Sequence, residues 1–274
     1  PEKSMHALKS ESCTAVHGVP TMFSAMLASS EFNGKPIKSL RTGIMAGSQC
    51  PEVLMRRVLY DLGCSEITIA YGMTETSPIS FQSDVNDPVD VRVSTVGRIQ
   101  PHCEVKIVED DGSTCAVGQT GELWTKGYLV MKGYWNDTEA TQSSIENGWM
   151  KTGDLATIDN EGFCRIVGRK KDMVIRGGEN IYPAELEEFL TAQKGILEAH
   201  VFGIPDEKFG EQLVAWIIAE EGATLDETSI QNLCKNALAY YKVPAIVRFV
   251  KEVPLTATGK PQKFKMREIM LNET

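Results

Sequence analysis

Over the first seventy residues, short apolar runs alternate with longer amphipathic ones. Residues 14–17, 43–46 and 67–70 are too short for helices and sit between turn formers, so they read as buried strands. Between them, PTMFSAMLAS from Pro20 and PEVLMRRVLYDLG from Pro51 carry helical spacing. Each places a proline in its first turn, where the missing N–H costs nothing. The second stops at Gly63, a natural C-cap. Strand and helix alternating over short connections predict a parallel sheet covered by helices.

The texture changes after Pro78. Residues 91–97, 103–109 and 121–125 lean toward strand, broken by DDGS and by Gly118 and Gly121. Small antiparallel sheets or a partial barrel are expected there, followed by a further β-rich stretch over 151–181. From Asp172 a compact α+β unit follows. DMVIRGGENIY reads as a hairpin, PAELEEFLTAQ as a proline-started helix with an acidic first turn, and EAHVFGI and QLVAWIIAE as strands. ETSIQNLCKNALAY reads as a helix, AIVRFVKEV as a last strand, and QKFKMREIML as a basic helix. Nothing repeats at a fixed period. The fold class is therefore α/β: a parallel sheet with helices plus a β-rich subdomain over residues 1–168, then a small α+β domain over 169–274. Charge concentrates at the junction, in GRKKD.

Composition narrows the function. The 274 residues suit about two domains. With 28 basic against 37 acidic side chains and no long basic run, nucleic acid is not expected as a main partner. No apolar stretch approaches the roughly 18 residues of a membrane span. Seven cysteines include no CxxC and four histidines no HxxxH, which argues against zinc or iron–sulfur chemistry. Free, buried thiols in a reducing, intracellular setting are the expectation. The chain starts at Pro1 with no visible targeting peptide, so it is expected to be a piece of a longer protein.

Four segments carry candidate chemistry. YGMTETSP (71–78) follows a strand of the expected parallel sheet, where ligands collect beyond the carboxyl ends of strands. Its hydroxyls suit phosphate and its glutamate suits Mg²⁺, though the same residues also make an ordinary capped turn. Asp154, after the glycine of WMKTGDLATID, can accept two hydrogen bonds from a ribose diol or simply cap a turn. In GRKKDMVIRGGENIYPAELE (168–187), Arg169 can fork onto sugar or phosphate oxygens, whereas its lysine neighbours also read as a solvated linker. Gly177 and Gly178 allow positive φ or close backbone approach, as a hairpin or a ligand passage needs. In PLTATGKPQK, small turn residues present Lys260 to solvent, the fate of most lysines.

Taken in order, HGVPTMF, YGMTETSP, GELWTKG, YWNDTEAT, GWMKTGD, GRKKDMVIRGGENIYPAELE, YYKVP and PLTATGK resemble the adenylate-forming superfamily of acyl-CoA synthetases, luciferases and peptide-synthetase adenylation domains. The details look most like a mitochondrial, medium-chain fatty acyl-CoA synthetase. The resemblance implies a two-step ligase. A fatty acid carboxylate attacks the α-phosphate of ATP to give acyl-AMP and pyrophosphate, and CoA then displaces AMP. It implies ATP, Mg²⁺ and CoA as co-reactants and a mitochondrial matrix location. By position, Tyr71 would stack near adenine, Thr74 bond the α-phosphate and Glu75 hold Mg²⁺. Asp154 and Arg169 would bind the ribose hydroxyls, and Lys171 would be the hinge of the small domain. Gly177 and Gly178 would line the pantetheine passage, and Lys260 would be the catalytic lysine of adenylation.

Two departures qualify the resemblance. The family's Gly/Ser/Thr-rich phosphate loop is absent, so the chain alone is expected to be inactive without the missing N-terminal part of the same enzyme. AGSQCP (46–51) replaces the family's Gly-Gly-Ala-Pro run near the adenine and acyl contacts. A non-catalytic CoA- or nucleotide-binding module and a ligase loading a carrier protein are the rival readings.

Overall fold

A computed structural model describes residues 1–48, 50–256 and 259–273. The chain divides into two compact units, Pro1–Val167 and Gly168–Thr274.

The first unit opens with α1 (Glu2–Ser10), absent from the sequence reading, which buries Met5 and Leu8 and sets Glu2 and Lys9 at the helix ends that suit their charges. There follow β1 (Ala15–Gly18), α2 (Pro20–Ala28), β2 (Thr42–Ala46), α3 (Glu52–Tyr60) and β3 (Glu66–Gly72). Pro51 proves to be the N-cap of α3 rather than part of its first turn. At the other end, the Cys64 N–H returns to the Val58 carbonyl, so the chain leaves the helix at Gly63. Strands β1, β2 and β3 pair in parallel, as the alternation requires. Met45 and Ile67 face a core with Phe23, Met26, Met55 and Val58 from the helices, all fully buried. β3 is buried at four consecutive positions because both faces of the sheet are covered.

β4 (Ile79–Gln82) turns back antiparallel to β3, then α4 (Val89–Ser94) and β5 (Arg98–Ile99) follow. Here the expectation of strand over 91–97 fails. Pro88 caps a helix with Asp90 in its first turn, and Arg92 and Val93 are buried against the core. Packing thus overrides the strand preference of three valines.

A second five-stranded sheet follows: β6 (Cys103–Val108), β7 (Gly121–Gly127), β8 (Ile145–Glu146), β9 (Trp149–Ile158) and β10 (Cys164–Arg169), whose last two residues fall in the second unit, with α5 (Thr138–Ser144) before β8. Phe81, Ile107, Leu123, Ala156 and Cys164 form the core that joins the two sheets, with Tyr71 at its edge. The loops after β3 and along β9 are thereby brought together.

The second unit starts with the hairpin β11 (Val174–Arg176) and β12 (Glu179–Ile181), then α6 (Pro183–Thr191). β13 (Ile196–Asp206) and β14 (Gly210–Ala219) make a long antiparallel pair, followed by α7 (Glu227–Ala237), β15 (Ile246–Phe249) and α8 (Lys263–Asn272). β13 and β14 read as continuous apolar runs because both faces are covered. Val201, Leu213, Ala215 and Ile217 meet α6 and α7, while Phe202, Val214 and Trp216 meet Met266 of α8. Asp226 and Ser229 cap α7 reciprocally, each side chain accepting the other's backbone N–H at 2.7 and 3.0 Å.

Candidate functional site

Tyr71 lies near the end of β3, and its hydroxyl donates to Oδ2 of Asp154, 83 residues away, at 2.6 Å. The ring packs edge-on against Phe81 at 6.1 Å between centroids. Burial, then the Asp154 charge and hydrogen bond, push the phenol far above its ordinary pKa, so it stays a donor. Asp154 is itself only 4% exposed and Tyr71 is half-buried, so the contact is partly closed to water.

The segment after Tyr71 is held tightly. A β-carbon on Gly72 would stand 1.7 Å from the Pro78 carbonyl oxygen, so only glycine lets β3 and β4 approach there. Residues Thr74–Thr76 form one 3₁₀ turn. Buried Thr76 donates its hydroxyl to the Met73 carbonyl at 3.2 Å, accepts the Met73 N–H at 3.3 Å, and accepts the Ser80 hydroxyl at 3.0 Å. With its backbone fixed this way, the turn leaves Thr74 exposed and Glu75 half-buried.

Glu75 is clamped from another direction. The Tyr134 hydroxyl donates to Glu75 Oε1 at 2.8 Å, and the Met131 N–H donates to the Glu75 carbonyl at 2.9 Å. The Tyr134 N–H is in turn fixed by the Thr141 hydroxyl at 2.9 Å. Its hydrogen bond to Glu75, aided by burial, raises the Tyr134 phenol above its ordinary pKa. Among the described residues no group of three or more His, Cys, Asp or Glu could hold a metal by itself. That donor set still fits Mg²⁺, which usually takes one or two carboxylates and completes its shell with waters and substrate phosphates.

Asp154 owes its position to an irregularity in β9. Gly153 has φ +70°, and the residues around it leave the β7 ladder. The Thr152 hydroxyl donates to the Leu123 carbonyl at 2.7 Å and accepts the Asp154 N–H at 3.1 Å. Glu122 Oε1 accepts the Gly153 N–H at 3.2 Å. Tyr134, Thr152 and Glu122 were not singled out in the sequence. Each lies inside a quoted motif, but only a partner distant in the chain gives it meaning.

The remaining candidates belong to the second unit. Arg169 is exposed at the end of β10, before the short turn Lys170–Asp172 that contains Lys171, also exposed. Gly177 and Gly178 turn the β11–β12 hairpin at φ +60° and +88°. Two successive left-handed residues are what a two-residue hairpin loop demands. An added β-carbon would meet only the Phe209 ring, at 3.5 Å from Gly177, so conformation rather than crowding selects these glycines. Lys260 is exposed on a tight turn. Its N–H donates to the Thr256 hydroxyl at 3.0 Å and its carbonyl accepts the Thr256 N–H at 2.8 Å. Ala257 and Thr258 of PLTATGK, and Gln49 of AGSQCP, lie outside the described residues.

All seven cysteines are free, as expected, but only Cys64, Cys164 and Cys234 are buried and the other four are half-buried. Burial raises Cys64 and Cys164 to about 12, chiefly by disfavouring the thiolate.

Residues 1–135 match the model of the AMP-binding enzyme family, and residues 185–260 match the AMP-binding enzyme C-terminal domain. The chain belongs to the AMP-binding enzyme family. It is 49% identical over 272 residues to YngI of Bacillus subtilis (strain 168), which carries an acyl-CoA synthetase name, covering 98% of this chain and 49% of that protein. It is 45% identical to the mitochondrial medium-chain acyl-CoA ligase ACSF2 of Danio rerio, over 97% of this chain and 44% of the relative. Among solved structures, ATP-bound MatB from Rhodopseudomonas palustris superposes with a TM-score of 0.90 at 32% identity, over 98% of this chain and 53% of the other. The chain thus spans about half the length of the curated relatives it matches.

Proposed function

We propose that this chain is the C-terminal part of an ATP-dependent fatty acyl-CoA ligase acting on medium-chain acids. The enzyme joins a carboxylate to AMP with release of pyrophosphate, then transfers the acyl group to CoA with release of AMP. The single observation that carries this reading is the partly buried Tyr71–Asp154 hydrogen bond beside the hydroxyl-rich turn. It supplies an oriented carboxylate for a diol, an aromatic ring beside it, and phosphate-binding hydroxyls one turn further on.

In this scheme Asp154 and Arg169 accept and donate to the ribose hydroxyls, and Tyr71 packs beside adenine while orienting Asp154. Thr74 donates to the α-phosphate. Glu75, held by Tyr134, takes a Mg²⁺ that spreads the phosphate charge when bound. Lys260 answers a specific electrostatic problem. A carboxylate nearing a phosphate meets a repulsion of about 4 kcal/mol per unit-charge pair at 4 Å and an effective dielectric of 20. An ammonium at the attacked phosphorus offsets this most where charge accumulates, in the transition state. Thiol attack on the finished adenylate lacks that collision of anions. A small domain turning about Lys171, taking Lys260 out and bringing Gly177 and Gly178 in, suits the two steps.

Resemblance to the mitochondrial ligase supports the medium-chain acid and a mitochondrial location. Among the described residues no helix is long and apolar enough to cross a membrane. ATP–pyrophosphate exchange by the full-length protein across carboxylic acids of graded length tests the reading. Exchange peaking at medium-chain acids, with acyl-CoA formed on adding CoA, is expected. Exchange with no fatty acid, or acyl transfer to a carrier protein but not to free CoA, would overturn it.

A further inference from the structure

The ladder between β7 and β9 is regular on both sides of Asp154 but not at it. Glu122 pairs with Leu155 and Trp124 with Lys151, so Thr152, Gly153 and Asp154 together face the one residue Leu123. A bulge of this kind re-aims a side chain and strips local backbone groups of their ladder partners. Two side chains make up that loss. The Thr152 hydroxyl is used twice, on the Leu123 carbonyl and the Asp154 N–H, and the Glu122 carboxylate accepts the Gly153 N–H. Thr152 is 7% exposed, so water is a poor substitute for its hydroxyl.

We propose that Thr152 and Glu122 are positioning residues that hold this bulge open, and that through it they set how strongly the site prefers a nucleotide bearing 2′- and 3′-hydroxyls. The inference rests on the proposed role of Asp154 at the ribose. Without the Thr152 hydroxyl, a buried carbonyl and a buried N–H lose their partner. The backbone recovers partners by rearranging the bulge between the fixed pairs on either side, which turns Asp154 away from its present direction. Tyr71 then loses the geometry of its bond as well. A role in general stability would weaken all nucleotides alike; a role in aiming Asp154 weakens only those with the diol.

The test is calorimetric binding of AMP and of 2′,3′-dideoxy-AMP to the full-length protein and its variants. The wild type is expected to favour AMP by about ten-fold or more, at least the size of one hydrogen bond to a charged acceptor. Asp154→Ala should remove most of the preference, leaving only what Arg169 supplies. Thr152→Val should cut it to about two- or three-fold with dideoxy-AMP affinity unchanged, and Thr152→Ser should restore it. Glu122→Ala should reduce it, Glu122→Gln should keep it, and this pair carries the test should Thr152→Val fail to fold. A full preference in Thr152→Val and Glu122→Ala, alongside its loss in Asp154→Ala, overturns the positioning role and leaves the nucleotide reading standing. Equal weakening of both ligands in Thr152→Val also overturns it. If the wild type and Asp154→Ala bind both ligands alike, the nucleotide reading itself fails.

Discussion

Tyr71 and Asp154 meet where water is scarce, and the phenol keeps its proton well beyond the neutral range. Replacing Tyr71 with Phe leaves the ring and removes the donor to a buried carboxylate. AMP affinity should fall by about three- to ten-fold, read by calorimetry, with the fold intact by circular dichroism. Lys260 makes the complementary case, since its side chain is exposed and its backbone fixed. In the full-length enzyme, Lys260→Ala should reduce acyl-AMP formation by at least about a hundred-fold, the scale of a lost transition-state contact. Thioester formation from supplied acyl-AMP should persist, and equal loss in both half-reactions would contradict the role. The buried thiols give a pH dependence of definite sign. Cys64 and Cys164 rise in the folded state from an ordinary value of 9.0 to about 12. Their contribution is therefore complete below about pH 9 and is lost as pH climbs toward 12, because the unfolded chain releases those protons first. Urea unfolding between pH 9 and 12 should show wild-type stability falling more steeply than that of Cys164→Ala.

At the scale of elements, the strands and helices follow from local signals that the chain states openly. Pro20 and Pro183 open α2 and α6, Gly177 and Gly178 turn a hairpin, and parallel strands sit near 14–17, 43–46 and 67–70 as expected. The valines of 91–97 are the instructive failure. Their β preference is worth less than burying Val93 on a helix that starts after Pro88, a decision made by packing and invisible to a local window. Gly72 tests how narrow the β3–β4 join is. Gly72→Ala would push a methyl onto the Pro78 carbonyl, so the turn that carries Thr74 and Glu75 must shift. A loss of about 2 kcal/mol or more in unfolding free energy is expected by chemical denaturation, in the range of strained and overpacked sites.

For the whole molecule, two compact units divide the candidate residues: Tyr71, Thr74, Glu75 and Asp154 in one, Arg169, Lys171 and Lys260 in the other. The two-step scheme asks the second to move. Lys171→Pro, which fixes φ in the short turn, should spare pyrophosphate exchange and slow acyl transfer to CoA several-fold. A slowing confined to exchange would put the swing elsewhere. The chain covers about half of its curated relatives, and exchange by the chain alone should be undetectable until the other half of the protein is supplied.

Periodicity, proline and glycine placement and the order of the short motifs belong to the sequence by itself, because each depends on residues within a turn or two of one another. They sufficed for most elements and for the family. What joins Tyr71 to Asp154 across 83 residues, and Tyr134 to Glu75 across 59, is strand pairing and the closing of a core between two sheets. No local window contains both partners, so only the folded chain could show that a threonine and a glutamate spend their side chains holding one aspartate in place.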